Sequence, residues 1–349
     1  MADTILTIDR DELLTVIHKV VHRTMNIDFT WEWPCGVAFY GITKAWDVTG
    51  NEEYIEFLKN WVDEYMEIGL PKFTVNTVSM GHTLINLYQT RGEQKYLDLA
   101  TAKAEYLQNT ALRFGDRVLQ HTVSAGNDFP GQAWADTLFM AAYFLLRLGR
   151  LLNNETYIED ALHQYLAHEE LLQDVKTNLF YHGYDNSTKG HMSGVFWGRA
   201  NAWAALTMAE AKNYINYLYP EFMAIDGTLR DHLAALVRLQ SPNGLWHTVL
   251  DDANTYEEIS ASAGIAAALV LNRHPLHAKT VMAAYRGILD NIGEDGSVRN
   301  VSAGTAVMET VQNYNRVPRK RVQGWGQGLT LAFLSALVKY QQEAESKSK

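Results

Sequence analysis

The chain has 349 residues, enough for one large domain or two ordinary ones. Its composition, 47% hydrophobic and 20% charged, is that of a soluble globular protein, and a formal net charge of −10 with no Lys/Arg-rich run excludes a nucleic-acid partner and disfavours a long polyanionic polymer, though not a small acidic molecule. The single cysteine, Cys35, excludes an intrachain disulfide; the start of the chain (Asp3, Asp9, Arg10, Asp11, Glu12) is unlike a signal peptide, and no stretch approaches a membrane span, so a cytoplasmic protein with no membrane partner is expected.

Helical periodicity runs from end to end. Residues 10–25 repeat apolar side chains every three or four positions, as an amphipathic helix requires. Trp31-Glu-Trp-Pro-Cys-Gly36 interrupts it, and a more apolar helix follows from Val37 to Val48, stopped by Gly50. Asn51 to Ile68 is again amphipathic and Pro71 lies just beyond it; residues 76–90 are mostly apolar and stop at Gly92. The alternation continues, with amphipathic helices near 93–113, 153–174, 221–240 and 277–293. Between and after them lie helices near 134–149, 197–215, 260–272 and 325–343, rich in Ala, Gly, Trp and Leu.

The boundaries repeat as well. Gly50-x-x-x-Tyr54 and Gly92-x-x-x-Tyr96 share one spacing, and Asn153-x-x-x-Tyr157 is a variant of it. An apolar helix ends at the glycine and an amphipathic one begins with acidic residues. Twelve helices in six pairs, at a period of roughly 40–60 residues, indicate a repeat architecture. Because the second helix of each pair is nearly uncharged, the expected fold is all-α, an (α/α)6 barrel of six helical hairpins, with an open helical solenoid as the alternative. No linker-like composition divides the chain, so residues 1–349 read as one domain.

If the inner helices share one direction, the residues before their N-termini gather at one rim. Between Asp128 and Arg147 the only charged side chain is Asp136, at the start of an otherwise apolar helix. It either caps that helix or is a desolvated acid/base at the mouth of a cavity. The same rim would collect His121, Trp134, the run Tyr181-His182-Gly183-Tyr184-Asp185, and Trp197-Gly-Arg199-Ala-Asn201-Ala-Trp203. A guanidinium between two tryptophans on an inner helix needs a partner, either an anionic sugar group or a buried carboxylate. Asp251, Asp252, Glu257 and Glu258 read as solvated or capping groups, and Arg316, Arg319, Lys320 and Arg321 as a solvated loop or one that meets an anion or a neighbouring subunit. The 9 Trp and 18 Tyr offer flat faces for sugar rings, but large cores use aromatic residues too. No metal site is expected, since no His-x-x-x-His pair lies on an inner helix and a lone cysteine cannot form a thiolate set. No cofactor is expected either: Gly324-x-Gly326-x-Gly328 follows no strand, which argues against a dinucleotide.

Taken together, Trp134-x-Asp136-x-Leu138-x-Met140, Tyr181-His182-Gly183-Tyr184-Asp185 and Trp197-Gly198-Arg199-x-Asn201-x-Trp203 resemble the motifs of glycoside hydrolase family 105, the unsaturated rhamnogalacturonyl hydrolases, and of the related family 88 unsaturated glucuronyl hydrolases. The resemblance covers nearly the whole chain and implies the same barrel. It also implies a substrate ending in a 4,5-unsaturated uronic acid, whose C4=C5 bond is protonated at C4 and hydrated at C5. It implies Asp136 as the catalytic acid, with a pKa raised by burial against Trp134, and His182, Arg199, Trp203 and His121 as substrate contacts, with Trp134 beside them.

One position departs from the pattern. Many relatives carry a second aspartate near the start of the fourth helix, where residues 70–90 here contain no Asp or Glu; Asn76 is the nearest candidate and cannot titrate. Two other readings stay open: an ordinary glycosidase pairing Asp136 with Asp251, Asp252 or Glu257, and a sugar-binding relative without catalysis.

Overall fold

The computed structural model describes residues 4–348; Asp3 lies outside them. Its six hairpins are α1 (Arg10–Met25) with α2 (Trp33–Thr49), α3 (Glu52–Ile68) with α4 (Gly81–Arg91), α5 (Gln94–Asn109) with α6 (Tyr143–Leu152), α7 (Glu155–Leu172) with α8 (Gly198–Ala211), α9 (Pro220–Arg238) with α10 (Ile259–Leu271), and α11 (Ala278–Leu289) with α12 (Gly324–Ser348). Each even-numbered helix packs on the next, and α12 returns to pack along α2. The ring is therefore closed, an (α/α)6 barrel rather than an open solenoid, with the odd-numbered helices outside. Among the described residues no helix is long and apolar enough to cross a membrane.

The repeated boundary has a simple physical basis. Gly50 and Gly92 end α2 and α4 at φ +62° and +69°, a left-handed turn that glycine adopts without steric cost, and Asn153 does the same after α6. Tyr54, Tyr96 and Tyr157 then bury their rings in the first turn of the outer helix that follows. Asn51 and Asn154 cap α3 and α7 by accepting from Glu53 N–H and Tyr157 N–H.

Closure depends on glycine. A Cβ on Gly328 would stand 2.1 Å from the Val37 carbonyl oxygen, and one on Gly41 would stand 2.4 Å from the Gly328 carbonyl oxygen. The glycine run that opens α12 is thus a packing surface for α2. Gln327, fully buried beside it, donates to the Val20 and Gly296 carbonyls and accepts from Val298 N–H, tying α12 to α1 and to the turn after α11.

At the end of the barrel where α2 and α8 finish, Glu210 accepts from Tyr40 Oη and pairs with Lys44 Nζ, both at 2.7 Å. Burial pushes its carboxyl up, but Lys44, Tyr40 and Arg147 outweigh that and hold it at about 2. Arg147 in turn reaches Asn86 Oδ1 at 2.6 Å and the His82 ring at 3.0 Å, so charged groups cross-link four inner helices.

Two inner segments differ from the continuous helices the periodicity predicts. Residues 76–90 divide into a helical turn, Val75–Val78, and α4, because Thr74 and Thr77 close a capping box around the short turn. After a small hairpin of β1 (Arg113–Phe114) and β2 (Val118–Leu119), the 134–149 segment starts as strand β3 (Gln132–Trp134) and passes through a π-helical turn, Leu138–Ala142, before α6.

Gly328→Ala is expected to cost at least about 3 kcal/mol, the upper end of overpacking penalties, because the clash is with backbone; chemical denaturation measures it, and a change under 1 kcal/mol would mean that α2 and α12 do not approach so closely. Glu210→Gln is expected to cost about 3–5 kcal/mol at pH 7 by leaving Lys44 without its counter-ion. The folded pKa lies below the ordinary 4.5, so in the parent protein this contribution is complete above pH 4.5 and is lost as pH falls toward about 2.

Candidate active site

Strand pairing assembles the site. β3 runs antiparallel to β4 (Gly183–Asp185), with Trp134 opposite Gly183, and β4 pairs in turn with β5 (Gly190–His191). Ala135 N–H donates to the His182 carbonyl at 3.0 Å, so Asp136 and His182 are carried to the same spot from either side of the ladder. His121 joins on the other edge of β3, its N–H donating to the Gln132 carbonyl at 2.8 Å. The π-helical turn follows Asp136 directly; such turns in α-helices are frequent at functional sites.

Asp136 keeps 14% of its side chain exposed and accepts no hydrogen bond from a backbone N–H, so it does not cap its helix. His182 Nε2 lies 3.3 Å from its Oδ2, in ion-pair range but off the line of a hydrogen bond, and both atoms are otherwise without a protein partner. The expected rise in the Asp136 pKa is corrected by these neighbours. Burial does push the carboxyl up, but His182, His121 and Arg199 together bring it below the usual aspartate value. Burial also lowers both histidines, His121 to about 4, so each is neutral at pH 7. His121 stacks on Trp134 at 4.4 Å and 12°, with its Nδ1 3.0 Å from Thr137 Oγ1, while Trp134 presents an edge contact to His182.

Asp136, His121 and Trp134 line a pocket of about 190 Å3, together with Trp33, Asn76, Phe129, Met140 and the segment Gly304–Ala306, while His182 is fully buried outside that lining. Asn76 is buried, and its Oδ1 has no partner. Among the described residues Asp136 is the only carboxylate in the lining. Glu257 is held by Ser241 and Asn243, and Asp251 and Asp252 sit in a turn elsewhere. No group of three or more His, Cys, Asp or Glu side chains among the described residues could hold a metal ion.

Arg199 and Trp203 stand behind the pocket wall. The guanidinium lies over Trp197 (4.4 Å) and Trp325 (5.4 Å), so its second tryptophan is Trp325 and not Trp203. Its partner is a buried carboxylate, Glu258, at 3.8 Å, which also caps α10 and accepts from Ser302 N–H. Arg199 donates to Ser302 Oγ at 2.6 Å and to the Ala303 carbonyl at 3.1 Å, fixing the segment that forms one side of the pocket. Trp203 is fully buried against Phe139. Trp33 and Trp325 stack at 4.4 Å; Trp325 lies at the start of the last inner helix, where sequence places it at the rim, whereas Trp33 was not legible as a site residue, since it reads only as part of a helix break. In the Arg316–Arg321 loop, Arg319 lies over the Tyr256 ring, outside the pocket lining.

The model of Glycosyl Hydrolase Family 88 matches residues 9–341. The unsaturated rhamnogalacturonyl hydrolase YesR of Bacillus subtilis is 54% identical over 96% of this chain and 97% of its own. A solved structure described as a possible member of glycoside hydrolase family 105, from Salmonella enterica serovar Paratyphi A, superposes with a TM-score of 0.90 at 28% identity over 95% of both chains. The unsaturated glucuronyl hydrolase of Bacillus sp. GL1 shares the fold, with a TM-score of 0.70 at 17% identity over 90% of this chain and 88% of its own. The resemblance read from the Trp134–Asp136, His182 and Arg199 motifs holds over the whole barrel, and the chain belongs to Glycosyl Hydrolase Family 88.

Proposed function

We propose that the protein hydrolyses unsaturated uronyl disaccharides derived from rhamnogalacturonan, freeing the remaining sugar as the C4=C5 bond of the uronic acid is hydrated, with Asp136 as the one catalytic carboxyl group. The observation that carries this reading is the solitary carboxylate in the pocket. Ordinary glycosidases need two, about 5–10 Å apart, and a binding protein has no need of a poorly satisfied acid beside an imidazole nitrogen that has no hydrogen-bond partner. The substrate class follows the 54%-identical Bacillus subtilis relative.

The chemistry needs only one acid. The C4=C5 bond is an enol ether through the ring oxygen, so Asp136 gives its proton to C4 and the positive charge at C5 is shared with that oxygen. A water attacks C5 and returns a proton to the Asp136 carboxylate, which is ready for the next turnover. The hemiketal opens by breaking the bond from C5 to the ring oxygen; the hemiacetal left at C1 then collapses and frees the second sugar. Asn76 Oδ1, Trp134 and His121 contact the sugar, His182 acts on Asp136, Arg199 acts through the 302–305 segment and Trp203 supports the floor. The six hairpins work as one catalytic unit around this pocket.

In the free protein the carboxyl is mostly ionised, and two effects of binding favour its acid form. The substrate brings its own carboxylate, a like charge, and displaces water from the pocket.

Incubation with lyase-generated unsaturated disaccharides should abolish the ultraviolet absorbance of the double bond, and Asp136→Asn should slow this by about 10²–10⁴-fold; no absorbance loss with any uronyl disaccharide, or an unchanged rate in the variant, contradicts the assignment. The pH profile gives a second test. Since the acid form reacts and the free carboxyl titrates below the ordinary 3.8, kcat/KM should fall about tenfold per pH unit from pH 5 to 7. The kcat profile should stay flat to higher pH, because the bound state has the higher pKa. A kcat/KM that rises with pH would mean that the carboxylate form initiates the reaction.

A further inference from the structure

His182 faces two ways. Its Nε2 lies 3.3 Å from Asp136 Oδ2, and its Nδ1 lies 2.8 Å from the phenol oxygen of Tyr314. Tyr314 belongs to a helical turn, Val311–Asn315, in the long crossing between α11 and α12, and it is fully buried. Its ring stacks on Trp197 at 5.9 Å, and its main-chain carbonyl accepts from Tyr256 Oη at 3.4 Å. Nothing in the sequence pattern marked this residue.

We propose that Tyr314 is a positioning residue for the reaction, its phenol fixing the tautomer of His182 so that Nε2–H faces Asp136. The hydrogen-bond inventory carries this. A neutral imidazole has one donor nitrogen and one acceptor nitrogen, and whichever partner it meets selects between them. Met308 N–H can only donate, and it does so to Tyr314 Oη at 3.1 Å, occupying a lone pair of that oxygen. The Ser193 hydroxyl also bonds this oxygen and, as a donor like Met308 N–H, leaves the phenol hydrogen to point at His182 Nδ1, which accepts it. The remaining ring proton sits on Nε2, the nitrogen 3.3 Å from Asp136 Oδ2, on the side of the carboxylate though off the line of a hydrogen bond. Burial holds the imidazole neutral, so a single proton decides the arrangement.

The orientation matters if Asp136 is the acid proposed above. Once it has protonated C4, Nε2–H stabilises the carboxylate left behind. The opposite tautomer would set the Nε2 lone pair against that charge. Seating of the crossing between α11 and α12 is thereby linked to the catalytic pair, because the residue that anchors the crossing also orients the histidine.

The test is 15N NMR of histidine-labelled protein, with the His182 signals assigned by their loss in His182→Gln. Wild type should show His182 protonated at Nε2 and unprotonated at Nδ1. Tyr314→Phe keeps the ring and its stacking but removes the hydroxyl; it should shift the population toward Nδ1–H. It should also lower kcat by about 10–100-fold, the scale on which loss of an orienting partner acts, with KM within twofold. A wild-type His182 carrying its proton on Nδ1 overturns the proposal, and that measurement needs no variant and no substrate. A variant with an unchanged tautomer, or with a changed tautomer and wild-type kcat, overturns it as well. Failure of the hydrolase reading would appear separately, as no loss of double-bond absorbance with the wild-type protein, and failure of the role of Asp136 as full activity in Asp136→Asn.

Discussion

The approach of α2 to α12 is the contact on which the barrel depends. Both helices are hydrophobic around most of their circumference and neither is stable exposed to water, so the last hairpin must return to the first. It does so backbone to backbone, because Gly41 and Gly328 leave no side chain between them. Closure brings Trp33 and Trp325, from the two ends of the chain, into a stack at the rim. It also seats the crossing that carries Ser302, Thr305 and Tyr314 over the starts of α8 and α10, where Arg199 and Glu258 hold it.

Within that frame the site is built from a mismatch between burial and charge. A carboxylate in an apolar pocket should be hard to ionise, yet Asp136 has its pKa drawn down by two histidines and a guanidinium that are themselves largely out of water. The free site is thus held in its anionic form with few hydrogen bonds to stabilise it. An anionic sugar adds negative charge at that point and removes the remaining solvent, both of which favour the acid form. On this view, binding supplies the proton donor, and a second carboxylate is not required. Asn76 in the lining agrees with this: an amide can orient a hydroxyl or a water without competing for the proton.

The fold was legible because its signals are local. Alternation between charged and uncharged helices, the glycine stops and the buried tyrosine after each of them all reflect contacts within one hairpin or between adjacent ones. Asp136 stood out for the same reason, as the one charge in an apolar run. What stayed hidden comes from distant parts of the chain. The strand pairing that joins Trp134 to Gly183 leaves little trace in runs this short. The sequence paired Arg199 with Trp203, four residues on, whereas the guanidinium selects Trp325 across the ring. Glu258 read as a cap, which it is, but its ion pair with Arg199 has no sequence signature. The direction of the Asp136 pKa could not be read from one apolar neighbour, because it is set by three cationic or ionisable side chains brought in from other segments.

The most direct measurement is to run the reaction in heavy water and follow the uronic acid product by NMR at early times. Protonation of the enol ether by Asp136 places one solvent deuterium at C4, delivered to a single face, and destroys the double bond in the same event that frees the second sugar. Release of a uronic acid that still carries its C4=C5 bond, with no deuterium at C4, would show direct cleavage of the glycosidic bond and would contradict a mechanism run by one carboxyl group.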